Sequence, residues 1–133
     1  MLGRIRLLTA PLCVVACLGG CSEPDGRHMV SGVVTFDGAA MPVGEVSIEP
    51  DPAAGNRGPQ ARALIKDGRF QTAPRKGAIA GDVIVEVSGA DGVATREAPG
   101  GKTLFANYRL KMHLPAKAST IEIAIPREAS VSK

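Results

Sequence analysis

The chain has 133 residues and carries 16 basic against 13 acidic side chains, a formal net charge of +3. Its first 20 residues read as an export signal, and Arg4 and Arg6 leave with it, so the charge of the remainder falls to about +1. The basicity is therefore largely a targeting feature and not a nucleic-acid footprint. With no Trp, one Tyr and three Phe, the chain also lacks the aromatic platforms on which bases and sugar rings stack. What remains is the size of one small domain.

Arg4 and Arg6 precede an apolar run over residues 7–20, interrupted only by Thr9 and Pro11. The run is too short to span a bilayer comfortably as a helix and has the length of a signal peptide's hydrophobic region. It ends in Leu18-Gly19-Gly20-Cys21, which resembles the bacterial lipobox: an aliphatic residue, two small residues that let a peptidase close on an extended backbone, then the cysteine that takes the lipid. The alternative is that Cys13, Cys17 and Cys21 are small apolar residues of a membrane-inserted helix. On the lipobox reading Cys13 and Cys17 are removed, Cys21 has no free thiol, and the mature domain forms no disulfide. Its fold must then rest on its core. Acylation at both the sulfur and the new amino terminus supplies the more than one chain that durable membrane attachment requires. Ser22, not Asp, follows the cysteine, which in lipoproteins with the familiar sorting rule implies the outer membrane, facing the periplasm or the cell surface. Residues 1–20 are thus the expected signal, 21–28 the lipidated cysteine and a polar tether containing Pro and Gly, 29–126 the folded body and 127–133 a tail.

Beyond Met29 the dominant period is two, and no window of a dozen residues keeps a helical stripe. Val30, Gly32, Val34 and Phe36 make the opening strand. Asp37-Gly38 follows as a tight turn, where Gly takes positive φ without steric cost. Val46 and Ile48 alternate with Glu45, Ser47 and Glu49, then Ala61, Ala63 and Ile65 with Arg62, Leu64 and Lys66. A second turn, Asp67-Gly68, leads into a short strand over 69–72. Val83, Val85 and Val87 alternate with Asp82, Ile84, Glu86 and Ser88. The longest alternation sets Leu104, Ala106, Tyr108, Leu110, Met112 and Leu114 on a core face against Phe105, Asn107, Arg109, Lys111 and His113 on a wet one. Ile121, Ile123 and Ile125 close the series and, only a few residues on, are expected to form a terminal hairpin with it. Seven strands at short spacing favour an all-β antiparallel sandwich over a barrel or a βαβ sheet. Two segments, 50–60 and 89–103, are long for hairpin loops, and loops of that length are either mobile or functional.

The spacing of Gly32, Val34, Phe36, Asp37, Gly38, Pro42, Gly44, Val46 and Ile48 resembles the opening of the carboxypeptidase regulatory-like domains, which are small transthyretin-like (prealbumin-like, Ig-like) sandwiches. Ile65, Asp67, Gly68 and Phe70, then Lys76-Gly77 and Gly81, Val83, Val85 and Val87, continue in that family's order. The resemblance covers nearly all of the chain after the signal. It implies the fold, and an accessory role without a catalytic centre.

The chemistry-bearing residues agree with that implication. His28 falls in the tether and His113 on a wet strand face, with no second ligand at zinc-like spacing. Gly101-Lys102-Thr103 imitates the end of a phosphate-binding loop, but Arg96 stands where the leading glycine belongs and no helix follows. Asp37, Asp51 and Asp67 are hard ligands of the kind calcium takes, yet they are scattered, and two of them already serve turns. Transthyretin-like hydroxyisourate hydrolases use cleft histidine and arginine and close on Tyr-Arg-Gly-Ser; here Tyr108-Arg109 runs on into Leu110 and the chain ends Ser130-Val131-Ser132-Lys133. The expectation is a protein that is not an enzyme, with no cofactor and no metal: a lipid-anchored envelope protein acting as a structural or protein-interaction module. The alternative is a small-ligand or glycan binder using loops 50–60 and 89–103, where Arg57, Arg96 and Lys102 would hold an anion and Glu97 would add a carboxylate.

Overall fold

The computed structural model describes residues 26–130 and is all-β. Its strands are β1 (Arg27–His28), β2 (Val30–Phe36), β3 (Ala39–Ala40), β4 (Val43–Pro50), β5 (Ala61–Lys66), β6 (Arg69–Gln71), β7 (Ala78–Ile79), β8 (Gly81–Ala90), β9 (Thr103–Leu114) and β10 (Ser119–Ile125). Seven of these are longer than two residues, as the alternation predicts. They form one curled sheet in the order β10-β2-β6-β5-β4-β8-β9. The sheet folds over at the β5–β6 turn, so that the inner face of β10-β2-β6 packs on that of β5-β4-β8-β9.

The core is what the period of two dictates. Val30, Val34, Phe70, Ile123 and Ile125 from one layer meet Val46, Ile48, Ile65, Val83, Val85 and Val87 from the other, all buried. Phe36 and Phe105 stack across the layers with ring centroids 5.3 Å apart. Both Asp-Gly turns are two-residue loops with positive φ at each residue, 51° and 79° at Asp37-Gly38 and 50° and 77° at Asp67-Gly68. That is the primed geometry whose twist matches the flanking strands.

Three sequence expectations are corrected. First, β9 and β10 do not form a hairpin. β10 pairs parallel with β2 in seven-residue register, Ser119 opposite Val30 through Ile125 opposite Phe36, and lies at the opposite end of the sheet order from β9. Residues 115–118, opened by Pro115, carry the chain across the roughly 10 Å between layers, which four extended residues can span. Crossing brings Ile123 and Ile125 onto the core with the other layer's Val residues.

Second, the faces of β9 switch part-way along. Val87 opposes Tyr108 and Gly89 opposes Phe105, so Ser88 alone faces Ala106 and Asn107. Asn107 takes φ 55°, and its N–H donates to Ser88 Oγ at 3.0 Å. This bulge buries Phe105 and exposes Ala106, the reverse of the simple alternation. Third, the fold begins before Met29. Arg27 and His28, expected in the tether, pair with Ile79 and Ala78, and Arg27 Nε donates to the Gly77 carbonyl at 2.8 Å. Gly77 is required there, because any Cβ would overlap the His28 carbonyl.

Candidate interaction surfaces

The two long loops lie at opposite ends of the sandwich. β4 and β8 run antiparallel with Pro50 opposite Val83 and Val43 opposite Ala90. The loop after β4 and the loop after β8 are therefore separated by the length of a ten-residue strand, roughly 30 Å. Arg57 sits at one end and Arg96, Glu97 and Lys102 at the other, so the anion site expected from Arg57, Arg96 and Lys102 is not assembled. The same geometry parts Asp51 from Asp37 and Asp67.

Each loop is pinned by its own side chains. In the first, Asp51 Oδ1 accepts the Ala53 N–H at 3.0 Å, and Asn56 Nδ2 donates to the carbonyls of Ala80 at 3.0 Å and Asp82 at 2.8 Å. In the second, Asp91 Oδ1 accepts the N–H groups of both Val93 and Lys102 at 2.9 Å, closing the loop at its base. The segment 89–103 is also shorter than expected as a loop, since Gly89 and Ala90 belong to β8 and Thr103 to β9.

The outer face of β4, β8 and β9 is a ladder of cross-strand charges. Arg109 bridges Glu49 at 3.2 Å and Glu86 at 2.9 Å, and Lys111 reaches Asp51 at 3.2 Å. His113 Nδ1 lies 3.0 Å from Asp82 Oδ1. The Asp51 side chain is only 5% exposed. The hydrogen bond from Lys111 holds its carboxyl below the usual carboxylate range, against burial, which pushes it up; the Ala53 N–H helps to lower it. These pairs satisfy the charges that the strands present and are worth little individually where exposed. Among the described residues no group of three or more His, Cys, Asp or Glu side chains converges on a point where a metal could sit.

A different surface lies at the fold of the sheet. β5 pairs with β4 along its whole length, Ala61 to Lys66, but with β6 only through Lys66 and Arg69. From Ala61 to Ile65 its second side carries no strand among the described residues. Such an edge presents alternate N–H and C=O groups to any extended chain that approaches. Beside it runs a groove of about 510 Å³ across the outer face of β10, β2 and β6, lined by Thr120, Ser31, Val33, Gln71 and Arg69 and ending on Leu64. Leu64 is 76% exposed, the most exposed large apolar side chain among the described residues. Lys66 and Arg69 stand directly opposite each other, and neither forms an ion pair with a described carboxylate.

The sequence matches no protein-family model and no curated protein. Cys21, the expected lipidation site, and residues 1–20, the expected export signal, lie outside the described residues. The β5 edge escaped the loop-centred expectation, yet its signal was present: Ala63-Leu64-Ile65 places three apolar residues in succession, so one must face outward. The strand that follows is also too short to cover six residues.

Proposed function

We propose that this chain is a lipid-anchored cell-envelope protein whose sandwich, of the carboxypeptidase regulatory-like kind, has no catalytic centre. It acts as an interaction module by adding an extended segment of another envelope protein to β5. The observation that carries this reading is the β5 edge, which no strand among the described residues covers from Ala61 to Ile65, beside a groove that ends on Leu64. Backbone pairing along an edge supplies affinity, and a side-chain pocket at alternate positions supplies specificity. Among other edges, β9 carries a bulge and the charged side chains Arg109 and Lys111, devices that discourage strand addition. The small-ligand alternative is weakened by the separation of Arg57 from Arg96 and Lys102. The reading also rests on the resemblance of Leu18 to Cys21 to a lipobox, which supports a membrane-anchored position beside other envelope proteins.

The test is co-purification from envelope extracts under mild detergent, comparing the wild type with Leu64→Asp. Because Leu64 is exposed, the variant should melt within about 0.5 kcal/mol of the wild type yet lose the partner. Retention of the same partner by a folded Leu64→Asp protein would refute the β5 reading.

A further inference from the structure

The near-neutral charge of the folded body conceals a segregation that only the topology reveals. Four segments gather at one end of the sandwich. β1 pairs with β7, and the loop 51–60 is tied to residues 80 and 82 through Asn56. Residues 72–77 leave the start of β2, where Thr72 exchanges backbone and side-chain hydrogen bonds with Val30. The crossing 115–118 joins Leu114, opposite Gly81, to Ser119, opposite Val30. These segments carry Arg27, Arg57, Arg75, Lys76 and Lys117, and none of the five is paired with a described carboxylate. Of the acids at this end, Asp51 is buried and taken by Lys111, and Asp82 lies 3.0 Å from His113 Nδ1, which leaves the basic side chains in excess. At the opposite end, Asp37, Asp67, Asp91, Glu97 and Glu128 are balanced by Lys66, Arg69, Arg96, Lys102 and Arg127. The molecule therefore has a basic end and a near-neutral end.

The chain enters the fold at the basic end. Arg27 lies six residues after Cys21, and six extended residues reach at most about 20 Å. Glu23 and Asp25 on that tether reduce the positive excess without cancelling it. We infer that the basic end rests on the anionic phospholipid headgroups of the membrane that carries the anchor, fixing the sandwich with its strands standing away from the surface. This rests on the lipid-anchor reading. Attraction of basic side chains to an anionic surface acts within a Debye length, about 8 Å in physiological salt. A tether of at most about 20 Å keeps the end close enough to the surface for its basic side chains to enter that range. β5 then runs outward from the membrane, with its open edge facing sideways, where another envelope protein can reach it.

The test uses the native lipidated protein reconstituted in vesicles of neutral phospholipid alone or with one third anionic phospholipid, probed by limited trypsin digestion. Flotation with the neutral vesicles reports the anchor independently; a protein that fails to float lacks the lipid, and the inference falls with it. On anionic vesicles, cleavage after Arg75 and Lys76 should slow by about tenfold relative to neutral ones, while cleavage after Lys102 at the far end stays unchanged. High salt, or the triple variant Arg75→Gln, Lys76→Gln, Lys117→Gln probed at Arg57, should abolish the difference. Equal cleavage on both vesicle types would overturn the inference. So would protection on neutral vesicles that arises only when envelope proteins are added, since that assigns the basic end to an acidic protein surface.

Discussion

Phe105→Ala probes the feature of the fold that simple alternation misreads. With strict alternation from Leu104 to Leu114, Phe105 would lie on the wet side and its truncation would cost almost nothing. The bulge at Asn107 instead leaves Phe105 0% exposed, stacked on Phe36 and lying under Gly89, where an added Cβ would come within 3.0 Å of the Phe105 ring. An aromatic side chain buries roughly 150–250 Å², which at about 25 cal/mol per Å² corresponds to about 4–6 kcal/mol. Alanine keeps its Cβ in the core, and measured Phe-to-Ala changes fall at about 3–5 kcal/mol. Against a total stability of about 5–15 kcal/mol, and at roughly 4–8 °C per kcal/mol for a domain of about 100 residues, the variant should melt at least 12 °C lower or not fold. Ala106→Asp, one residue on, should melt within a few degrees of the wild type because Ala106 is exposed. Thermal unfolding followed by circular dichroism reads both. A mild Phe105→Ala paired with a crippling Ala106→Asp would refute the bulge and restore simple alternation.

Other expectations follow from single groups. The folded-state pKa of Asp51 is depressed, so its stabilising contribution is fully present above the unfolded value near 3.8 and is lost as pH falls through the lower folded value. The melting difference between wild type and Asp51→Asn should hold from neutral pH down to about pH 5 and shrink below about pH 4; a difference that grows on acidification would contradict the Lys111 pairing. At the turns, Gly38→Ala meets only the cost of positive φ, about 1–2 kcal/mol, because nothing lies within 4 Å of the added Cβ. Gly68→Ala should cost more in urea denaturation, since its Cβ would lie 2.8 Å from that of Ala40; equal losses would argue against the close approach of β3 to that turn. Finally, intact mass of the native mature protein should correspond to an acylated chain beginning at Cys21, and an unmodified terminus elsewhere would contradict the anchor.

Strand identity was legible because burial in a two-layer sheet imposes period two directly. Val46 and Ile48, Ala61, Ala63 and Ile65, and Val83, Val85 and Val87 all face inward as alternation requires. Strand pairing was less legible. Ile121, Ile123 and Ile125 would satisfy their burial equally beside β9 or beside β2, and a four-residue connection fits either a hairpin or a crossing between layers. The β9 bulge left no mark in hydrophobicity, since Phe105, Ala106 and Leu104 are all apolar; only an Asn able to take positive φ hinted at it. Loop placement was invisible, because which end of the sandwich Arg57 or Arg96 occupies depends on strand direction in the assembled sheet. The charge segregation follows from the same fact. Residues as distant in sequence as Arg27 and Lys117 share an end only once the register is set.

Amide hydrogen exchange on the complex with the co-purified partner tests the central claim most directly. If β5 receives an added strand, the outward-facing amides between Ala61 and Ile65 should become protected on binding, with little change in loops 51–60 and 91–102. Unchanged exchange in β5 together with protection in either loop would contradict the account and return the binding site to the ends of the sandwich.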